Sequence, residues 1–313
     1  MQSSFHTTSI QKLNGKLNGN TVFIKRDDLI PFSFGGNKVR KALLFFKEIE
    51  AQSYDCVVTY GSSSSNHCRI IANFAVAKGM KCVIITPIET SKITYNSKMM
   101  ELFKADIINC KISEVKATID KTIGDLMHEG YNPYFIQGGG HGNTGTKAYV
   151  LAYDEIRDYE FENKTHFDYI FHTSGTGTTQ AGLICGQLIN KDKRQIIGIS
   201  NARKNPYGGQ VVLESVNSYL KSIGEESVSA ELINFIDDYV LDGYGSYNSE
   251  VLDTIKKILI NEGIPLDITY TGKAFWGMEK YIKKKEITGM NILFIHTGGT
   301  PLFFDDLEEL ING

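Results

Sequence analysis

Short apolar stretches alternate along the chain with longer stretches in which apolar residues recur every three or four positions. β-branched and aromatic residues predict strands at 21–24, 55–60, 81–86, 106–108, 134–136, 168–173, 195–199 and 291–296. Helical spacing predicts helices at 38–49, 66–77, 97–105, 113–129, 146–159, 180–188, 209–223 and 250–262. No element is predicted in the polar residues 1–20. Alternating strands and helices of these lengths indicate right-handed βαβ units and an α/β fold.

Length and charge narrow the class of protein. The 313 residues are 42% hydrophobic and carry a formal net charge of −3, which gives ample core for one large or two interlocked domains. Acidic and basic residues are interspersed, so neither nucleic acid nor a membrane is expected as a partner. Small-molecule chemistry is the default, and the glycine-rich stretch 138–145 is the best internal boundary.

Cysteine usage points to a reducing compartment. The five cysteines are scattered through mostly apolar segments and form no close pair, so neither disulfides nor a metal site is predicted. No signal peptide or bilayer-crossing run is recognised, and we expect a cytoplasmic protein.

A lysine follows two glycines directly before an apolar helix. Gly35 and Gly36 allow the main chain to be approached closely, and Lys38 then lies near the helix start. The positive end of a helix dipole lowers an amine's affinity for its proton, as a Schiff-base lysine requires. On this segment alone, a solvated lysine after a turn is an equal alternative.

Three predicted strands end in loops of small and hydroxylated residues, at 62–65, 174–179 and 297–300. Ligands of open parallel sheets bind at the carboxyl ends of strands, and two of these loops lead into helices, which makes them anion sites. No GxxxxGK[ST] motif is present, and Gln180 stands where a dinucleotide fingerprint has its third glycine. A phosphate loop, a carboxylate loop and a presented lysine together indicate pyridoxal 5'-phosphate acting on an amino acid.

The segments IKRDDL, GGNKVRK, SNH, GTGTTQAGL, YTGKA and HTGG occur in that order from about residue 20 onward. With them the chain resembles the D-cysteine desulfhydrase and 1-aminocyclopropane-1-carboxylate deaminase family of pyridoxal phosphate enzymes. The resemblance implies the two-domain tryptophan synthase β-like fold (fold type II), with open, mainly parallel twisted sheets flanked by helices. It also implies a large cofactor-binding domain from residues 1–40 and 150–313, a small domain from 41–149, and a homodimer.

The resemblance assigns roles to matching residues. Lys38 looks like the lysine that binds the cofactor covalently, and Asn66 like the partner of its phenolic oxygen. Ser65, Asn66 and His67 would hold the substrate carboxylate, although His67 could equally be a satisfied helix histidine. Tyr244 and Tyr270 resemble the two tyrosines that flank the substrate. The phosphate cup would be formed by Gly175, Thr176, Gly177, Thr178 and Thr179. Thr297 would supply the hydroxyl that faces the pyridine nitrogen.

Three positions bear on the substrate pocket, the reaction type and the choice of lysine that the resemblance implies. Ser64 stands where the family often has glutamine, so the substrate pocket is differently shaped. Thr271 stands where the ring-opening deaminases carry glutamate, and a hydroxyl does not keep the pyridine nitrogen protonated, which favours β-elimination. Which of Thr271 and Thr297 faces that nitrogen is open. Lys273 is expected at the surface, although it is the rival of Lys38.

We therefore expect a lyase that eliminates a β substituent from a small amino acid and releases a 2-oxo acid and ammonia. Lys38 is the expected base, with Ser65 or a tyrosine on the other face. Alternatives are a β-replacement synthase, a 1-aminocyclopropane-1-carboxylate deaminase, and a non-catalytic binder of an amino acid or phosphate. Stereochemistry is open.

Overall fold

The computed structural model describes residues 7–312 and contains two sheets. The six-stranded sheet has the order β1-β2-β10-β7-β8-β9 and is parallel except for the β1–β2 pair. Its strands are β1 (Ile10–Leu17), β2 (Asn20–Lys25), β7 (Tyr169–Ser174), β8 (Gln195–Ser200), β9 (Asn234–Ile236) and β10 (Asn291–Ile295). It thus combines strands from both ends of the chain.

The four-stranded sheet is built from one continuous part of the chain. It has the order β5-β4-β3-β6, and all its strand pairs are parallel. Its members are β3 (Cys56–Tyr60), β4 (Lys81–Pro87), β5 (Asp106–Cys110) and β6 (Pro133–Ile136). The predicted α/β fold with mainly parallel sheets is confirmed.

Eleven α-helices are present within residues 7–312. They are α1 (Asn37–Ala51), α2 (Asn66–Ala77), α3 (Tyr95–Leu102), α4 (Val115–His128), α5 (Asn143–Asn163), α6 (Thr178–Ile189), α7 (Tyr207–Ser222), α8 (Ser249–Glu262), α9 (Lys273–Lys284), α10 (Thr300–Asp305) and α11 (Leu307–Asn312). A π-helical turn, Ile268–Gly272, leads directly into α9. In the same part of the chain, none of these helices combines the length and apolarity needed to cross a bilayer.

Each sheet is covered by apolar helix faces. Two core clusters lie on the six-stranded sheet, one including Phe171, Ile197 and Phe294, the other Ile170 and Leu293. Neighbouring residues of β7 and β10 therefore point into different clusters, as the two faces of a strand require. Two further clusters contain the buried residues of the four-stranded sheet, among them Val57 and Val58.

Several elements escaped prediction. Strand β1 lies at the sheet edge, and all its residues except the buried Leu13 are exposed or partly buried, so its sequence looks polar. Strand β9 has only three residues, and α9 follows a π-helical turn that breaks the helical spacing. The predicted domain boundaries stay a prediction. They fall inside α1 and α5, and residues 1–6 and 313 lie outside the described part of the chain.

Candidate active site

The chain turns sharply before α1, and the turn brings the start of that helix to the loop after β10. Four consecutive residues, Ser33 to Gly36, have positive φ angles, which is rare for the two that are not glycine. A Cβ on Gly35 would lie 2.1 Å from the carbonyl oxygen of Asp28, and one on Gly36 would lie 2.8 Å from that of Thr297. Only glycine fits these close approaches, so both glycines are needed for the placement of α1.

Lys38 is the second residue of α1, and its amine meets the loop after β6. Its Nζ donates to the carbonyl oxygen of Gly139 over 2.8 Å. Burial lowers its pKa from 10.5 to about 8, against smaller opposing effects of Cys68 and Lys41. A substantial neutral fraction near pH 8 makes this amine a usable nucleophile and base.

A second amine, which the sequence analysis did not single out, lies one turn further along α1. Lys41 is 1% exposed, and its Nζ donates to Thr178 Oγ1 over 2.7 Å. Burial first, and Lys38 second, hold its pKa well below the ordinary value. Burial of an amine without a carboxylate is unfavourable unless an anion completes the site, and Thr178 belongs to the predicted phosphate loop.

The predicted phosphate loop ends at the N-terminus of α6. Gly177 has a φ of +98°, and the first i to i−4 bond joins the Ala181 amide to its carbonyl oxygen. The preceding amides of Thr178 and Thr179 have no acceptor within residues 7–312. These donors and the helix dipole together form an anion site.

Asn37 connects two of the loops, and its neighbour Lys38 contacts a third. Its Nδ2 donates to Thr179 Oγ1 over 3.1 Å, and its backbone amide donates to the Thr297 carbonyl oxygen over 3.0 Å. Residues 36–38 therefore contact the phosphate loop, the loop after β6 and the loop after β10.

The predicted carboxylate site begins α2. Ser65 is the N-cap, its Oγ accepts from the Cys68 amide over 3.2 Å, and the Arg69 amide bonds to the Ser65 carbonyl oxygen. The amides of Asn66 and His67 have no acceptor in the described part of the chain, and they face away from the helix body as first-turn donors do. A second anion can therefore bind here.

The Asn66 side chain is oriented by two donors. Its Oδ1 accepts from Asn96 Nδ2 over 3.0 Å and from Arg69 Nη2 over 3.4 Å. With its oxygen held in this way, the Asn66 amide keeps its two N–H groups for a further acceptor.

The His67 side chain points back to the sheet. Thr59 Oγ1 donates to the Ile136 carbonyl oxygen, so it must accept from His67 Nε2 over 2.9 Å. Burial and two nearby lysines hold the His67 pKa well below 6.5, which keeps the ring neutral. Its backbone amide can still take part in the predicted carboxylate site.

The two predicted tyrosines are in direct contact. Their hydroxyl oxygens lie 2.7 Å apart, and Ser64 Oγ lies 3.5 Å from the Tyr244 hydroxyl. Burial, followed by Tyr244, raises the pKa of Tyr270 well above 10, so it is a proton donor rather than a phenolate. Ser64 and Tyr244 come from loops that belong to different sheets, and their contact spans the space between them.

Asp267 organises the segment that carries Tyr270 and Thr271. Its carboxylate accepts from both backbone amides and from Thr271 Oγ1, the last over 2.7 Å. Thr271 Oγ1 also accepts from the Asp267 amide, and its only proton is already donated to Asp267. The Thr297 hydroxyl has no hydrogen-bond partner in residues 7–312, which makes it the available one of the two threonines.

The expectation that Lys273 lies at the surface was wrong. It is 0% exposed, and its Nζ donates to backbone carbonyl oxygens, the shortest bond being 2.8 Å to Gly243. Its amine is thus occupied by another loop, whereas the Lys38 amine bonds to the loop after β6, and the neighbouring Asn37 bonds to the phosphate loop.

Sequence reasoning missed Asn37, Lys41, Asn96 and Gly139. Gly139 follows a predicted strand just as the three selected loops do, but its glycine cluster was interpreted only as a boundary. Lys41 is three residues after Lys38, a spacing that places both on one helix face. Nothing in the sequence marked Asn96. Within residues 7–312, no group of metal-ligating side chains is present.

Comparisons with known proteins agree with this geometry. The family described as pyridoxal-phosphate dependent enzyme matches residues 5–298. The chain is 33% identical over 294 residues to D-cysteine desulfhydrase of Yersinia enterocolitica serotype O:8 / biotype 1B (strain NCTC 13174 / 8081), covering 91% of this chain and 88% of the relative.

Solved structures give the same result. The structure described as an ACC deaminase homologue superposes with a TM-score of 0.90 at 30% identity, covering 98% of this chain and 93% of the other. An O-ureido-L-serine synthase shares the fold with a TM-score of 0.67 at 16% identity, covering 97% and 94%. Fold and comparisons define an α/β enzyme of fold type II. The chain belongs to the pyridoxal-phosphate dependent enzyme family.

The residues present fit the family's cofactor. A phosphate matches the free amides of α6 and the buried ammonium of Lys41, and an aldehyde matches the Lys38 amine.

Proposed function

We propose that the protein is a pyridoxal phosphate-dependent lyase that eliminates the β substituent of a small amino acid, with cysteine as the leading substrate. The Cβ–S bond breaks, the α proton is lost, and the amino group is released by water. Cysteine and water thus give pyruvate, sulfide and ammonia, without an external oxidant or reductant. The 33% identity to a D-cysteine desulfhydrase supports the D-enantiomer as the first candidate.

One observation carries the proposal. The Lys38 amine has a pKa of about 8 and belongs to the start of α1, which Asn37 bonds to the phosphate loop. It also lies near the first turn of α2, because its charge lowers the pKa of His67. An amine between two separate anion sites suits an amino acid held next to a phosphorylated aldehyde.

Each anion site then has one occupant. The substrate carboxylate would bind the amides of Asn66 and His67 and the Ser65 hydroxyl, whose proton is free because its oxygen only accepts from Cys68. The cofactor phosphate would bind the loop from Gly175 to Thr179. Lys41 would balance its charge.

Proton transfers fall to the side chains between these sites. The bound cofactor would withdraw electrons from the substrate Cα and stabilise negative charge there. Lys38 would take the α proton, and the Tyr244–Tyr270 pair, joined over 2.7 Å, would protonate the leaving sulfur. Asn66 would donate to the phenolic oxygen, and Thr297 would face the pyridine nitrogen as an uncharged partner.

The same arrangement favours elimination over ring opening. The Thr271 hydroxyl donates its only proton to Asp267, and the available Thr297 hydroxyl carries no charge. An uncharged partner leaves the pyridine ring a weaker electron acceptor. This is sufficient when a good leaving group departs from the β carbon.

A substrate panel tests the proposal. Purified protein with cofactor is incubated separately with D-cysteine, L-cysteine, β-chloroalanine, D-serine and 1-aminocyclopropane-1-carboxylate, and keto acid is measured. We expect turnover of one cysteine enantiomer and of β-chloroalanine, and none in Lys38→Ala. Turnover of the cyclopropane amino acid would contradict the elimination assignment. A new amino acid in place of keto acid, formed when a nucleophile is added, would establish β-replacement instead.

Assembly, domain limits and location belong to the same proposal. We infer a cytoplasmic homodimer with a large domain from residues 1–40 and 150–313 and a small domain from 41–149. All five cysteines are free and buried, which suits a reducing compartment. Sedimentation analysis is expected to give twice the chain mass, and a monomer at micromolar concentration would contradict the dimer.

A further inference from the structure

Lys273 is a buried ammonium whose acceptors are all uncharged. Its Nζ lies 2.8 Å from the Gly243 carbonyl oxygen, 3.2 Å from that of Val240, 3.5 Å from that of Asn201 and 3.4 Å from Ser246 Oγ. Burial lowers its pKa to about 8, against smaller opposing effects of Asp267 and Asp242. Taking an ammonium out of water is costly, so these acceptors must compensate for it.

The acceptors come mainly from one irregular loop, residues 240–246. Leu241, Gly243 and Gly245 all have positive φ angles, and this conformation turns carbonyl oxygens of the loop towards the same point. Oxygens that converge in this way repel one another unless a cation lies between them. Ser246 Oγ bonds to the Gly243 carbonyl oxygen over 2.7 Å and gives the cluster one further donor.

This loop carries Tyr244, whereas Lys273 follows Tyr270 in the segment from the π-helical turn into α9. A single segment therefore presents one tyrosine and holds the loop of the other. The two hydroxyl groups are 2.7 Å apart, and such a contact requires both backbones to be fixed.

We propose that Lys273 is a positioning residue for Tyr244, acting as a built-in cation that holds loop 240–246 against the Tyr270 segment. The proposal rests on the proposed function, in which this tyrosine pair borders the substrate. Lys273 itself does not touch the reacting atoms.

Three variants test the role. Lys273→Ala removes the cation and leaves a cavity, Lys273→Met removes the cation but fills the cavity, and Lys283→Ala removes an exposed lysine from the same helix. We expect both Lys273 variants to raise KM for the substrate by about 10- to 100-fold, with a smaller change in kcat, and Lys283→Ala to match the wild type.

Ethylammonium chloride supplies the decisive comparison. It fits the space left by Lys273→Ala and should restore both KM and Tm in that variant, but not in Lys273→Met. Tetramethylammonium chloride carries the same charge without N–H donors and should restore neither. A wild-type KM and Tm in Lys273→Ala, or equal effects of the two salts, would overturn the proposal.

The Tm measurement tests the positioning role of Lys273 separately from the proposed lyase function. If no amino acid is turned over by the wild type, the proposed function fails, yet salt-specific stabilisation of Lys273→Ala still tests the cation role. If Lys273→Ala does not fold alone, refolding only with ethylammonium supports the proposal. Equal yields in both salts, or no folding in either, contradict it.

Discussion

Lys38 and Lys41 lie one helical turn apart, yet they contact different loops. Lys38 donates to the carbonyl oxygen of Gly139, whereas Lys41 donates to the hydroxyl of Thr178 at the start of α6. Burial lowers both pKa values, and Lys38 lowers the pKa of Lys41 further, whereas Lys41 slightly opposes the lowering of the Lys38 pKa. A phosphate beside Lys41 would keep that amine charged and leave Lys38 as the neutral one.

The pH dependence of cofactor uptake should report on Lys38. Its pKa is about 8 instead of 10.5, so the rate of aldehyde binding to cofactor-free protein should rise through about pH 8 and then level off. Because the unfolded chain binds more protons between these two values, this group also makes the free energy of unfolding rise with pH in that window. Stopped-flow absorbance measures the rate. A rate that still increases at about pH 10 would contradict the shifted pKa.

Lys41→Met should weaken cofactor binding without removing the reactive amine. Loss of one buried, hydrogen-bonded cation opposite a phosphate should lower affinity by about 10- to 100-fold, with Lys38 still modified. A titration followed by absorbance measures this change. Lys47→Met, at an exposed position of the same helix, is the control. Unchanged affinity in Lys41→Met would exclude Lys41 from the phosphate site.

Loops at the ends of elements were predicted better than the contacts between them. Strand spacing and hydroxylated loops identified the starts of α2 and α6, because a parallel sheet places the carboxyl ends of its strands on one edge. The orientation of Asn66 by Asn96 was not predictable, since the two residues are 30 positions apart and come from different helices. The burial of Lys273 was not predictable either, because its acceptors come from loop 240–246, whose backbone angles are irregular.

Gly36→Ala tests the turn that places α1. The new Cβ would meet the Thr297 carbonyl oxygen at 2.8 Å and would impose a φ of +101° on alanine. We expect a loss of about 2–4 kcal/mol in the free energy of unfolding, together with weaker cofactor binding.

Gly79→Ala is the matched control for Gly36→Ala. Gly79 also has a positive φ, +68°, but nothing lies within 4 Å of its added Cβ, so only the conformational cost of about 1 kcal/mol remains. Urea unfolding measures both variants. Equal losses would show that the close approach to Thr297 does not matter.

At the level of the whole molecule, a buried ionic network joins α1 to the six-stranded sheet. Arg40 of α1 pairs with Asp27 after β2 over 2.8 Å and with Glu155 of α5 over 2.6 Å. Lys25 also pairs with Glu155, and the Tyr149 hydroxyl donates to Asp27 over 2.7 Å. The network connects α1, α5 and the end of β2 with the segment that follows it, and it fixes the helix that carries Lys38.

Arg40→Met should destabilise the protein strongly, because it leaves the Asp27 charge buried without its main partner. We expect a loss of about 3–5 kcal/mol in the free energy of unfolding. Lys121→Met, which breaks an exposed pair with Asp125, should cost at most about 0.5 kcal/mol. Urea unfolding compares the two, and a loss below about 1 kcal/mol for Arg40→Met would contradict the assigned role.

Lowering the pH should remove the stabilisation that the Asp27–Arg40 pair gives the wild type. The surrounding cations lower the pKa of Asp27 from 3.8 to about 2 despite its burial. Its contribution is therefore complete above the unfolded pKa and is lost as pH falls through the folded one. The acid-induced loss of stability in this range should be smaller in Arg40→Met, where the lowered pKa is no longer maintained.

The most direct test of the account is chemical trapping of the lysine that binds the cofactor. The protein is loaded with pyridoxal 5'-phosphate, reduced with sodium borohydride, digested and mapped by mass spectrometry, with Lys38→Ala treated in parallel. The account predicts a phosphopyridoxyl group on Lys38 in the wild type and none at that site in the variant. A label confined to Lys41 or Lys273, or no label on any lysine, would contradict it.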